Sequence, residues 1–192
     1  MPVNLLLSSG TGRLVGVPVA NFLRGLFAPP SRSTGMRESF KVGISFGLTS
    51  GIITTLGLMV GLESGTHSRL AVVSGILTIA IADAFSDALG IHISEESENR
   101  HTAKEIWQST LLTFLSKLVF ASSFILPLVL FSLPTAVVVA VFWGFFLLGG
   151  FSFLIARAEN AKPLPVIAEH LIIAGAVILI TNGLGHVIQR LQ

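Results

Sequence analysis

The chain has 192 residues, of which 52% are hydrophobic and 11% charged, with a formal net charge of +2. A mean hydropathy of +0.82, with the apolar residues gathered in long blocks, excludes a soluble domain and indicates a polytopic, all-α membrane protein. The basic residues form no clustered patch with interleaved aromatics, which sets nucleic-acid binding aside. The absence of cysteine rules out disulfides, thiolate metal sites and thiol redox chemistry.

Residues 1–38 read as an N-terminal interfacial segment followed by a basic linker. Leu5 to Leu7 and Leu14 to Phe27 are apolar, but Arg13, Pro18 and Arg24 interrupt them, and Ala28-Pro29-Pro30-Ser31 ends any helix before Arg32 and Arg37. A signal peptide is the rival reading; the stretch has no basic region ahead of its first apolar run, and Arg13 would sit inside the apolar core.

Five transmembrane spans follow, in a domain covering 39–192: about 42–62, 70–91, 109–131, 135–156 and 166–188. Each is long enough to cross roughly 30 Å of hydrocarbon at about 1.5 Å per residue. Pro134 in the short link at 132–134 makes the third and fourth spans an antiparallel hairpin. With five spans, Arg13, Arg24, Arg32, Arg37, Lys41, Arg100, Lys104, Arg157 and Lys162 fall on one side, and Arg69 and Arg190 on the other. The positive-inside rule then places the N-terminus in the cytoplasm and the C-terminus outside or in a lumen.

The second span carries Asp83 and Asp87, which share a helical face. An Asp at a span's centre costs roughly 2.5 to 3.5 kcal/mol on the insertion scale, so the pair should face other helices, water or an ion. Counting inward from the cytoplasmic boundary, Ser50, Asp83 and Lys117 each lie about 12 Å deep. Thr49, Thr54 and Thr55 add hydroxyls on the first span, Ser86 on the second, and Asn182 and His186 lie toward the far side of the fifth. These groups suit a hydrophilic path. They also suit a structural reading, in which Asp83 and Lys117 form a buried pair holding two helices in register and the hydroxyls bond their own backbone. Asp87 has no evident cation partner, which favours a functional role.

Gly43, Gly47 and Gly51 make a continuous small face on the first span, suited to close packing within the subunit or across a dimer axis. Between the second and third spans, His92, Glu95, Glu96, Glu98, His101 and Glu105 have helical spacings that can converge on a divalent ion. Glu95, Glu96 and Glu98 ahead of Arg100 and Lys104 fit ordinary surface charge equally well. Any metal would use oxygen, imidazole or the thioethers of Met36 and Met59, which favours hard or borderline divalent cations.

Three stretches carry a family resemblance: Phe46-Gly47-Leu48-Thr49-Ser50-Gly51-Ile52-Ile53-Thr54-Thr55; Ala82-Asp83-Ala84-Phe85-Ser86-Asp87-Ala88-Leu89-Gly90-Ile91-His92-Ile93-Ser94; and Ala168-Glu169-His170-Leu171-Ile172-Ile173-Ala174-Gly175 leading to Asn182-Gly183-Leu184-Gly185. They resemble the first, second and fifth helices of the vacuolar iron transporter family, over nearly all of residues 40–190. The resemblance implies a five-span, N-inside homodimer that exports ferrous iron or manganese from the cytosol in exchange for protons, with the ion path at the two-fold interface lined by helices one and two. The chain departs from the family pattern at Ser50, where a carboxylate is usual, and at Asp87, where a methionine is usual. Gly90-Ile91 replaces Gly-Glu, and the long acidic cytosolic insert is missing.

A carboxylate is thus lost on one helix and gained on its neighbour, and an Asp in place of Met shifts preference toward harder ions such as manganese or magnesium. The expected function is divalent cation transport without a permanently bound cofactor. Asp87 and Asp83 serve as transport and proton groups beside Lys117, Ser50 and Thr49 as neutral ligands, and His92, Glu95, Glu96 and Glu98 as the recruiting surface. The alternative is a non-transporting membrane scaffold built on an Asp83–Lys117 pair. No nucleophile elbow, phosphate loop or HExxH stands in the chain, which argues against an enzyme.

Overall fold

The computed structural model of the protein describes residues 32–191, with side chains from Glu38 onward. The expected interfacial segment lies for the most part outside the described residues. These form six helices and no strand: α1 (Arg32–Thr66), α2 (Arg69–Ser97), α3 (Ala103–Ser123), α4 (Ile125–Leu130), α5 (Leu133–Ala158) and α6 (Pro163–Gln189). With α3 and α4 taken together, five helical units are long and apolar enough to cross a membrane.

Two boundaries correct the expectation. The basic stretch from Arg32 is not a linker but the first turns of α1, ten residues ahead of the apolar block. The third span is not continuous: it breaks at Phe124, where α3 ends and α4 begins. Pro127 has no N–H to give the carbonyl four residues back, and the Phe124 N–H turns instead to the Ala121 carbonyl at 3.3 Å. α5 and α6 overrun their apolar blocks by a turn or less, whereas α2 runs six residues past its block and α3 starts six residues before its own. Thr102 and Glu105 form a reciprocal capping box on α3, and Pro134 and Pro163 stand at helix starts, where their missing N–H costs nothing.

The core is centred on α1, which touches α2, α3, α5 and α6. Leu48, Ile52, Leu56 and Met59 of α1 meet Val72 and Ile76 of α2, Phe124, Leu128, and Ala136, Ala140 and Leu148 of α5. Met59 is wholly buried there and is a core residue. Buried positions on α2 recur every four residues as Val72, Ile76, Ala80, Ala84 and Ala88, the last three making a small-residue stripe. The outward faces of α2, α3, α5 and α6 carry large exposed apolar side chains such as Phe85, Leu111, Phe142, Phe146 and Ile180, which suit a hydrocarbon solvent.

The glycine face of α1 is spent inside the subunit, against α3. A Cβ built on Gly43 would lie 2.6 Å from the Ser109 carbonyl oxygen, and one on Gly47 would lie 2.1 Å from Ser116 Oγ and 2.5 Å from the Thr113 carbonyl oxygen. Gly51 approaches Lys117 in the same way, at 3.2 Å from its carbonyl oxygen. This register rises together on both helices, so α1 and α3 run parallel. Arg69, at the start of α2, donates from its guanidinium to the Leu128 carbonyl and, at 2.6 Å, to the Phe131 carbonyl, closing the C-terminal end of α4.

Candidate cation site within the helix bundle

Three helices deliver four polar side chains to one point. Lys117 Nζ, on the α3 face that meets Gly51, contacts the carboxylates of both Asp83 and Asp87 on α2. It also donates to Ser50 Oγ of α1 at 2.8 Å, while Ser50 Oγ donates to Asp87 Oδ2 at 2.6 Å. The depth count therefore found the right layer. The expectation that Asp87 lacks a cation partner is corrected: the lysine stem is long enough to serve both carboxylates, which stand one helical turn apart.

Exposure differs across the cluster. Lys117 is 1% exposed, whereas the Asp83 and Asp87 side chains are 28% and 18% exposed. Asp83 and Ser86 stand at one end of an open groove between α1 and α2, lined also by Leu58, Leu62, Ser74 and Thr78. From the level of Asp83 to Ala71 at its other end the groove follows α2 for about 18 Å. Two carboxylates against one ammonium leave a formal charge of −1 when all three are ionised. Low-dielectric surroundings disfavour such an imbalance.

The remaining candidates separate. Thr49 is half-buried, and the Thr54 hydroxyl is spent on the Ser50 carbonyl at 2.8 Å, as the structural reading has it. The Thr55 hydroxyl is fully buried without a hydrogen-bond partner. Among the described residues no hydrogen bond or ion pair joins Asn182 or His186 to the cluster; the Asn182 carbonyl lies 3.3 Å from Ser64 Oγ. α6 meets α1 along Gly57, Gly61 and Gly65, beyond the level of Ser50.

The acidic stretch at the other end of α2 also divides. Glu95 is only 6% exposed and accepts a hydrogen bond from Ser109 of α3, which corrects its reading as surface charge. α2 continues to Ser97, so position 95 falls on the buried stripe seven residues after Ala88. Glu96 and Glu98 are exposed. His92 Nδ1 lies 3.0 Å from Thr110 Oγ1 and its ring packs edge-on to Trp107, and Glu98 approaches His101 Nε2 at 3.7 Å. Among the described residues no three His, Asp or Glu side chains come together closely enough to hold a metal ion. Sequence reasoning missed two residues: Ser109, read only as the start of a span, and His170, whose Nδ1 lies 2.7 Å from the buried Ser152 hydroxyl.

No family model, curated protein or solved structure matches the chain.

Proposed function

We propose that the protein is a membrane transporter of divalent cations that exchanges its ion for protons at the Asp83–Asp87–Lys117–Ser50 cluster. One observation carries this reading: two carboxylates share a single enclosed ammonium, and one of them borders a groove. An excess negative charge in such surroundings is stable only when a proton or cation offsets it, and alternation between the two is the elementary step of exchange. Lys117 is then a tethered counter-ion. It holds the carboxylates apart from other charges when no ion is bound, and gives up their oxygens when one arrives.

The carboxylate swap is compatible with the resemblance to the vacuolar iron transporters. Asp87 Oδ2 lies 2.6 Å from Ser50 Oγ, so moving the acid from α1 to α2 leaves an acidic oxygen beside the position where the family carries it. Asp83, Asp87 and Ser50 form an all-oxygen set suited to manganese, ferrous iron or magnesium. Exposed Glu96 and Glu98 gather the ion at the cytosolic end. A second copy closes the groove along α1 and α2, in the family's N-inside homodimeric plan, and directs the ion outward.

A scaffold reading is favoured by one observation of its own: Lys117 ties α1, α2 and α3 together through Ser50 and both aspartates. Uptake of Mn2+ into proteoliposomes, with and without a pH gradient, separates the two. The wild type should take up Mn2+ faster with the gradient, and Asp87→Asn should abolish uptake while still folding. If the wild type carries none of Mn2+, Fe2+ or Mg2+, the scaffold stands and the transporter does not.

A further inference from the structure

Near the start of α1 and the end of α5, a groove of about 190 Å³ lies between the two helices. Its wall is apolar, made by Phe40 and Ile44 of α1 and by Phe151, Leu154 and Ile155 of α5. Three polar residues break that wall: Lys41, Ser45 and Glu159. Lys41 stands in the first turn of the apolar stretch Glu38–Thr66, and Glu159 directly follows the stretch Leu133–Ala158. Both charges therefore sit where hydrocarbon gives way to lipid headgroups. Ser45 is one helical turn deeper than Lys41, about 6 Å, and Phe151 is about 12 Å below Glu159. Among the described residues, none of these three polar side chains has a hydrogen-bond or ion-pair partner. A cation and an anion that face one groove from opposite helices without meeting leave room for a group carrying both signs. The groove between α4 and α5, lined by Leu126, Leu130 and Val139, holds no charged residue and gives a headgroup nothing to choose by.

We propose that the groove between α1 and α5 binds a glycerophospholipid whose head carries a primary ammonium beside its phosphate, a phosphatidylethanolamine. Lys41 Nζ donates to the phosphate, and the lipid ammonium donates to the Glu159 carboxylate. The Ser45 hydroxyl, one turn inward, donates to an ester carbonyl, which in such a lipid lies one step inward of the phosphate. The first carbons of an acyl chain then lie on Ile44, Phe151 and Leu154. A phosphatidylglycerol head would leave Glu159 without a cation, and a choline head has the charge but no N–H to give. The site shares no residue with the cluster at Lys117, so it stands whether or not the protein carries ions.

Native mass spectrometry of the full chain in mild detergent, with equal amounts of phosphatidylethanolamine, phosphatidylglycerol and phosphatidylcholine, tests this. One phosphatidylethanolamine should be retained at least about threefold over each of the others, the scale of two partly solvated charge contacts. Glu159→Gln should erase the preference over phosphatidylglycerol, and Lys41→Gln should weaken both lipids alike. Ala158→Trp, which fills the groove, should abolish retention; melting curves check that each variant is folded. A second measurement needs no variant: retention should fall stepwise as the lipid amine is methylated once, twice and three times, since the charge stays while the N–H donors go. Equal retention of phosphatidylethanolamine and phosphatidylcholine by the wild type would overturn the site, as would a preference that survives Glu159→Gln. If no lipid is retained and a photo-crosslinker placed at Ile44 captures residues 1–31 or a second copy of the chain, the groove belongs to that occupant and the lipid site falls.

Discussion

At the scale of single residues the decisive one is Lys117. It is the largest fully buried side chain that carries a charge, and it stands between two acids, so removing it exposes each acid to the other. Lys117→Met should lower stability by about 3 kcal/mol, the cost of stripping one partner from a buried ion pair; thermal melting in detergent measures it. Adding Asp83→Asn and Asp87→Asn to that variant should recover most of the loss, because the cluster then holds no uncompensated charge. Much of this cluster was legible in the sequence. The spacing of Asp83 and Asp87 and the common depth of Ser50, Asp83 and Lys117 follow from helix rise alone. The pairing of Lys117 with both acids was not, since a flexible four-carbon stem reaches across a full turn and no count of residues says which way it lies. The burial of Glu95 was hidden for another reason: three glutamates within four positions look solvated until the helix is known to run through them.

At the scale of helices, close approach is set by glycine, and the effect of filling each position differs sharply. A Cβ on Gly185 would lie 1.9 Å from Ser64 Oγ and 2.6 Å from the Gly61 carbonyl oxygen, whereas nothing lies within 4 Å of one on Gly175 or Gly183. Gly185→Ala and Gly47→Ala should therefore lose about 1 to 3 kcal/mol by overpacking. Gly175→Ala should gain up to about 1 kcal/mol from helix propensity. Parallel melting curves for the three variants would show the opposite signs. The clamp from Arg69 to the end of α4 gives a local counterpart. Arg69→Met leaves the Leu128 and Phe131 carbonyls without their charged donor, and hydrogen exchange should rise at residues 128–131 with little change in α5. The glycine pattern could be read in the sequence, but which helix would fill it could not. The same Gly43-x-x-x-Gly47-x-x-x-Gly51 face serves a neighbour in one chain or in another, and only the register against Ser109, Thr113 and Lys117 decides. Pro127 was visible as a letter, yet its apolar surroundings masked the break it imposes.

For the whole molecule, alternation of helix direction is the testable property. Gly43 meets Ser109 and Gly65 meets Gly185, while Glu95 meets Ser109 and Asp83 meets Lys117. Hence α1, α3 and α6 run one way and α2 the other. The chain contains no cysteine, so single cysteines can be labelled without background. His67→Cys and Ser132→Cys should react from one side of a sealed membrane, and Asn99→Cys and Asn160→Cys from the other. Fold class and span count were open to sequence reading because long apolar blocks and their proline and charged borders are a one-dimensional signal. Helix ends were less so, since α1 begins in a basic stretch that hydropathy leaves out.

If the protein exchanges cations for protons as proposed, the enclosed lysine would also govern the electrical character of that exchange. With one acid protonated, the cluster of two carboxylates and an ammonium is neutral. Loading a divalent ion keeps it neutral only if both that acid and Lys117 surrender a proton. Two protons would then leave for each ion that enters, and turnover would draw no net current whatever the voltage across the bilayer. Recordings on a solid-supported membrane should stay silent while Mn2+ uptake proceeds, and a steady current would mean that the ammonium keeps its charge throughout the cycle.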